Sequence, residues 1–101
     1  MPKIDLDNKV VLLIMEEDAG KDLAISLAER GADVALAYDS GWTKTAVQIK
    51  KHIQAIGRRC QLVGSDKSHP HFIERTIDQV VGLFGQMDIF IDLSAPHPSP
   101  S

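Results

Sequence analysis

Short apolar runs alternate along the chain with stretches in which apolar residues recur every three or four positions. Continuous apolar runs of this kind are typical of strands that are buried on both faces of a parallel sheet. The intervening stretches each carry one apolar stripe and end close to a glycine, which is typical of helices packed on such a sheet. The pattern predicts strands over 9–15, 32–38, 60–64 and 88–93, and helices over 20–30, from 40 or 43 to 56, and over 70–84.

The alternation of strand and helix predicts an α/β fold. Right-handed crossovers between parallel strands leave few topologies, and the expected one is a three-layer, Rossmann-like arrangement with a four-stranded parallel sheet of order 3-2-1-4 and helices on both faces. Residues 1–95 are expected to form this domain, and the proline- and serine-rich residues 96–101 a disordered tail. Ser40 or Thr43 is expected to cap the second helix, and Pro70 to lie in the first turn of the third.

Composition narrows the class of protein. The chain has 101 residues, a hydrophobic fraction of 44%, a formal net charge of −3 and a single cysteine. A net negative charge argues against nucleic acid or an anionic membrane as a partner, and no apolar run is long enough to span a membrane. One cysteine excludes an intramolecular disulfide, so we expect a soluble cytoplasmic domain.

Four segments of the chain resemble the N-terminal half of short-chain dehydrogenase/reductases, and in particular the fungal polyketide and naphthol reductases. They are LDNKVVLLI, AERGADVALAY, IQAIGRRCQLVGSD and VVGLFGQMDIFID, and the resemblance extends over residues 6–95. It implies a Rossmann fold, an NAD(P) cofactor and a serine-tyrosine-lysine catalytic set. By this resemblance the chain is identified as a truncated, degenerate member of the family, because that catalytic set lies beyond residue 101.

The resemblance carries over poorly to the phosphate-binding turn. The family has Thr-Gly-x-x-x-Gly-x-Gly there, whereas this chain has Met-Glu-Glu-Asp-Ala-Gly over 15–20. Only Gly20 matches, as the last glycine, and Asp18 falls on the middle one. Asp66 matches the family aspartate that contacts adenine, so Gly20 and Asp66 are the residual cofactor-binding residues. A carboxylate at Asp18 would repel a pyrophosphate, unless it caps the helix in place of the phosphate.

Acidic residues follow every predicted strand. Because the carboxyl ends of parallel strands share one rim of the sheet, six of the fourteen acids are expected on that rim. Crowded carboxylates raise one another's pKa, which favours general acid–base chemistry, although a hard divalent cation and a solvated rim without a ligand are alternatives. No metal ligand set is assigned. The rim acids are Glu16, Glu17, Asp18, Asp39, Asp66 and Asp92.

Other reactive residue types are expected to have ordinary roles. Asp39, after the second strand, would repel a ribose 2′-phosphate, but a structural role is expected for it. His69 and His71 have neither a zinc-site spacing nor a triad arrangement and are expected at the surface, whereas His97 follows the fourth strand and is the best histidine for proton transfer. Cys60 is expected to be a buried strand residue.

The loss of the glycine-rich turn and the acidic rim together favour a cofactor-independent, non-redox enzyme of isomerase, cyclase or dehydratase type. Its expected catalytic residues are Asp92, Asp18, Glu17 and His97, with no cofactor. The alternatives are a non-catalytic interaction module and a residual NAD(P)-binding half of an oxidoreductase, so whether the chain is an enzyme stays open. An unpaired fourth strand predicts a homodimer through the strand 88–93 edge or the helix 70–84.

Overall fold

The structure is a computed structural model and describes residues 6–16, 20–64 and 68–93. Strands and helices alternate along these residues as predicted. Their bounds are β1 Val10–Ile14, α1 Lys21–Glu29, β2 Asp33–Tyr38, a 3₁₀ turn Ser40–Trp42, α2 Thr43–Ile56, β3 Cys60–Gly64, α3 Phe72–Phe84 and β4 Ile89–Asp92.

The four strands form one parallel sheet in the order β3-β2-β1-β4, which confirms the predicted topology. In β1, Ile14 is in register with Ala37 of β2 on one side and with Asp92 of β4 on the other. β2 and β3 therefore follow on one side of β1, whereas β4 lies on its other side, so the strand order reverses at β1. In open parallel sheets, a crevice forms at such a reversal, outside the carboxyl ends of the strands.

All five residues of β1 are buried, as expected for a central strand covered on both faces. One face of the sheet carries α1 and α2, and its core includes Leu13, Leu36, Ile49 and Ile53. The other face carries α3, whose Val80 packs with Leu12 and other strand residues. The three layers confirm the predicted Rossmann-like arrangement.

One helix covers less of the sheet than two do. A helix with its side chains is about 10 Å wide, whereas four strands at about 4.8 Å spacing extend over about 15–19 Å. The face under α3 is therefore only partly covered. Phe90 of β4 remains 39% exposed, and Val81 and Leu83 of α3 are exposed as well.

The predicted helix starts need correction. The residue before α2 is Trp42, without a side-chain cap, and the Thr43 hydroxyl instead donates to the Ser40 carbonyl at 2.8 Å. The reason is the 3₁₀ turn, which is closed by the Trp42 N–H on the Asp39 carbonyl. Pro70 lies in the turn before α3, which begins only at Phe72.

Within the described ranges, no helix is long and apolar enough to cross a membrane. The boundary expected at residue 95 and the tail 96–101 lie outside the described residues, so both stay predictions.

Candidate functional site

The crevice between the carboxyl ends of β1 and β4 is the candidate site. The two ends are joined by the Leu93 N–H, which donates to the Ile14 carbonyl at 3.0 Å. Met15 continues β1 by donating its N–H to the Ala37 carbonyl at 2.9 Å, and the exposed Glu16 follows it. Hydrogen bonds to both neighbouring strands thus continue to the carboxyl end of β1, where an exposed acidic residue follows.

Gly20 begins α1 at this crevice and has a left-handed backbone, with φ +113°. A Cβ placed on it would lie 3.1 Å from Leu93 Cδ1 and 3.6 Å from Leu13 Cδ2. Both the backbone angle and the close packing therefore require glycine. The start of α1 is therefore held directly against the end of β4, and the first backbone N–H groups of a helix have no partner within it.

Asp92, expected to be catalytic, is the last residue of β4 and is half-buried in register with Ile14. Asp39 follows β2 and begins the 3₁₀ turn through its carbonyl. Since β2 and β4 lie two strand positions apart, about 10 Å, the rim spreads these carboxylates along the sheet.

The remaining predicted site residues, Glu17, Asp18, Asp66 and His97, lie outside the described residues. The structure therefore brings together only Gly20 and Asp92 from the predicted set, on neighbouring elements of the crevice. Within the described part of the chain, no group of three or more histidine, cysteine or acidic side chains is placed to hold a metal ion.

Cys60 is buried in β3, as predicted. Burial raises the pKa of its thiol to about 11, although the charge of Lys50 acts in the opposite direction. The side chain therefore stays a protonated thiol at neutral pH. His71 is exposed, and its backbone N–H donates to Nδ1 of the partly exposed His69 at 3.0 Å, which is a local turn contact.

A cluster in which two partly exposed arginines pair with one buried carboxylate, at the opposite end of the strands, was not predicted. Asp33, 4% exposed, accepts the Arg59 backbone N–H at 3.0 Å and the Arg59 guanidinium at 3.0 and 2.8 Å, and it pairs with Arg58 at 3.1 Å. The Arg59 guanidinium also lies 5.0 Å from the centroid of the Phe84 ring. An acid within an apolar strand, followed by Arg-Arg before the next strand, was the available sequence signal.

Burial acts to raise the pKa of Asp33, but the hydrogen bonds from Arg59 and the charges of both arginines together hold that pKa below its ordinary value. The carboxylate is therefore ionised at neutral pH. Since it ties β2 to the start of β3 at the end away from the crevice, its role is structural.

No protein-family model matches the chain. Several curated proteins, however, are similar to it in sequence. An oxidoreductase of Mycobacterium tuberculosis is 34% identical over 88 residues, which are 86% of this chain and 33% of the relative. A hydroxynaphthalene reductase of Aspergillus fumigatus is 39% identical over 75 residues, 74% of this chain and 27% of the relative. The chain thus spans about a third of the length of the curated relatives it matches.

Solved structures give the same result. A short-chain type dehydrogenase/reductase from Mycobacterium marinum superposes with a TM-score of 0.74 at 27% identity, over 85% of this chain and 34% of that one. A Burkholderia cenocepacia structure, described as that of a dehydrogenase with bound NADP, has a TM-score of 0.79 at 26% identity, over 90% of this chain and 36% of that one.

These relatives overturn the expectation of a cofactor-independent isomerase, cyclase or dehydratase. The matching proteins are named as oxidoreductases, and a solved neighbour contains NADP. The prediction was wrong because it gave the acidic residues of one short turn more weight than the resemblance of residues 6–95 to the oxidoreductase family. The predicted absence of a cofactor rested on that turn as well.

Proposed function

Because the chain belongs to the short-chain dehydrogenase/reductase family, we propose that these residues are the dinucleotide-binding part of an oxidoreductase. The observation that carries the proposal is Gly20, which holds the start of α1 against the end of β4 at the chain reversal of the sheet. This is the place where open parallel sheets bind dinucleotides. The nicotinamide ring, when bound, would accept or supply the hydride that is transferred.

The described residues fit the backbone requirements of a pyrophosphate. The N-terminus of α1 offers N–H groups and the positive end of the helix dipole. Because residue 20 is glycine, it places no side chain between these N–H groups and a ligand. Lys21 supplies a positive charge next to Gly20. These groups would orient the phosphates at the β1–β4 crevice.

The acids of the turn weaken this binding. Two like charges about 4 Å apart repel by about 1 kcal/mol in water and by about 4 kcal/mol at the effective dielectric of a protein surface. Glu16 is exposed just beyond the end of β1, and Glu17 and Asp18 follow it in sequence. We therefore expect the chain to bind dinucleotides weakly.

Asp39 favours NAD over NADP. It follows β2 and stands 19 positions after Gly20, close to the spacing at which an acid accepts hydrogen bonds from the ribose hydroxyls. A 2′-phosphate in the same place would be repelled by the carboxylate.

The chain cannot complete the family's chemistry with its own residues. Tyr38, its only tyrosine, lies in β2, and the residue four positions later is Trp42, so the Tyr-x-x-x-Lys motif is absent from the 101 residues. Hydride transfer then needs catalytic residues from further polypeptide. We propose that such polypeptide, or a second copy of the chain, pairs at the β4 edge, where Phe90 is exposed.

Calorimetric titration with NADH tests the proposal. The native chain is expected to bind with a dissociation constant of about 1 mM, and Glu17→Gln/Asp18→Asn to bind about ten-fold more tightly. Glu29→Gln/Asp78→Asn makes the same charge change at exposed positions away from the crevice and is the control. Absence of saturable binding in both the native chain and the Glu17/Asp18 variant would refute the dinucleotide role.

A further inference from the structure

A groove runs along the outer edge of the sheet between β3 and α3. Its larger part has a volume of about 400 Å³ and is lined by Leu62, Val63, Gly64, Gln79, Gly82 and Leu83. A smaller part of about 190 Å³ continues toward the start of α3 and is lined by Gly64, His69, Phe72, Arg75, Thr76 and Gln79. Because the two parts share Gly64 and Gln79, they form one surface, here called the β3 groove.

The backbone of β3 presents hydrogen-bonding groups to this groove. The Val34 N–H donates to the Arg59 carbonyl at 3.0 Å, and Val34 is in register with Cys60. In a parallel pair, alternate residues direct their peptide groups toward the partner strand. Since Arg59 faces β2, Leu62 and Gly64 direct their N–H and C=O groups away from the sheet. A row of this kind is a template for one more strand.

Two glycines of the groove are not required by the fold of the chain. Gly64 and Gly82 do not have positive φ, and a Cβ on either would meet nothing within 4 Å. Inside a helix, glycine costs about 1 kcal/mol relative to alanine, so Gly82 weakens α3 without a local reason. Close approach of another backbone explains both positions, because glycine leaves room for it.

The side chains of the groove define what such a strand carries. Leu83 is 53% exposed at one end, next to the space left by Gly82. Arg75 supplies the charge at the other end, and its side chain makes no ion pair or hydrogen bond within the described part of the chain. One end of the groove therefore favours an apolar side chain and the other a carboxylate.

The spacing of these two ends matches an extended strand. Successive same-face residues of a strand lie about 6.6 Å apart, and four residues of a helix rise about 6 Å. Leu83, Gln79 and Arg75 follow one another at intervals of four residues on α3. Residues i, i+2 and i+4 of a docked strand therefore reach Leu83, Gln79 and Arg75 in turn.

We propose that the β3 groove binds an extended strand of a partner protein. The strand pairs with the outward peptide groups of Leu62 and Gly64, places an apolar side chain beside Gly82 and Leu83, and directs a carboxylate four residues away to Arg75. Main-chain bonds supply affinity and the two side chains supply specificity. The sheet order separates this edge from the β1–β4 crevice by two strands, so the inference is independent of the dinucleotide role.

Nuclear magnetic resonance titration of the ¹⁵N-labelled 101-residue chain tests the proposal. The probes are blocked peptides of alternating threonine and valine that contain either Leu-Thr-Val-Thr-Glu or Glu-Thr-Val-Thr-Leu, since the added strand can run in either direction. One peptide is expected to saturate with a dissociation constant below about 1 mM. The shifted amides should be those of Leu62, Gly64 and the adjoining flank of α3.

Variants separate groove binding from nonspecific contact. Gly82→Leu fills the space and is expected to weaken binding at least about ten-fold, whereas Gly41→Leu, an exposed glycine without positive φ in the 3₁₀ turn, should have no effect. Leu83→Lys tests the same end through an exposed residue if Gly82→Leu fails to fold, as judged by circular dichroism. Arg75→Gln should weaken the glutamate peptide but not its glutamine counterpart.

Each other outcome overturns the proposal. These outcomes are a lack of saturation by either peptide below about 1 mM, amide shifts at β4 around Phe90, and binding that survives both Gly82→Leu and Leu83→Lys. Sedimentation velocity of the chain without peptide tests whether the groove instead binds a second copy of the chain. Self-association that Gly82→Leu abolishes would place a second copy in the groove instead of a partner's strand.

Discussion

Gly20 and Leu93 meet where α1 begins and β4 ends, with 3.1 Å between Leu93 Cδ1 and the position a Cβ would take at residue 20. The contact joins two elements that are 73 positions apart in sequence, counted as 93 minus 20. It also sets how closely the first turn of α1 approaches the crevice. The stability of the fold and the shape of the candidate site therefore depend on the same glycine.

Gly20→Ala is expected to destabilise the chain by about 1–3 kcal/mol, because alanine is strained at φ +113° and its Cβ presses on Leu93. Urea unfolding measures the change. In the Leu93→Ala background the loss should be smaller, since the contact is relieved while the backbone strain remains. Gly41→Ala, in open space without positive φ, should stay within about 0.5 kcal/mol of the native chain. Equal losses at residues 20 and 41 would contradict the packing argument.

Asp33→Asn is expected to cost about 1–2 kcal/mol at pH 7, because the substitution removes the charge that strengthens the hydrogen bonds donated by the partly exposed arginines to buried residue 33. The pKa of Asp33 is lowered on folding, so its contribution is present above the unfolded pKa of about 3.9 and is lost as the pH falls through the folded value. Urea unfolding of both proteins from pH 7 to pH 2 should show their difference shrinking below about pH 4. A difference that is constant with pH would exclude this linkage. Asp78→Asn, on the exposed face of α3, is the control.

Asp39→Ser is expected to shift the preference between dinucleotides toward NADPH by about ten-fold, since it removes the charge that repels a 2′-phosphate. The Glu17→Gln/Asp18→Asn background is used because we expect it to bind dinucleotides about ten-fold more tightly than the native chain. Calorimetric titration with NADH and NADPH yields the ratio of dissociation constants. If the ratio is unchanged, Asp39 does not contact the ribose.

Phe90→Lys is expected to convert a dimer into a monomer if two copies pair through β4, because it places a charge on an exposed residue of that edge strand. Sedimentation velocity of the native chain and the variant measures this. Leu83→Lys changes an exposed apolar residue of α3 on the other flank, Leu83 being 53% exposed, and should leave a dimer formed through β4 intact. A native chain that stays monomeric at about 100 μM would contradict the predicted homodimer.

The thiol of Cys60 is expected to react with a disulfide reagent at pH 8 much more slowly than an exposed cysteine. Burial blocks access to the sulfur and raises its pKa to about 11, so the reactive thiolate is scarce. The rate should increase steeply across the urea unfolding transition. Fast modification of the folded chain would show that β3 opens locally without global unfolding.

Much of the frame follows from the sequence alone. Apolar runs and stripes in the sequence mark the surfaces that are buried in the fold. They therefore predicted the order of strands and helices, the burial of Cys60 and the position of Gly20 at a helix start. Element ends were less predictable. The Trp42 N–H on the Asp39 carbonyl closes a 3₁₀ turn that no apolar pattern signals, and α2 consequently begins without the expected cap.

Tertiary structure decided what depends on residues that are far apart in the chain. The Asp33 carboxylate meets Arg59 only because β2 and β3 lie side by side, and Leu62 meets Gly82 across a groove only because α3 returns along the edge strand. The acidic turn shows the converse. Its charge is evident in the sequence and suggested that dinucleotide binding had been lost. The candidate site, however, is formed by the packing of α1 against β4. That packing joins residues far apart in the chain, so the sequence does not display it.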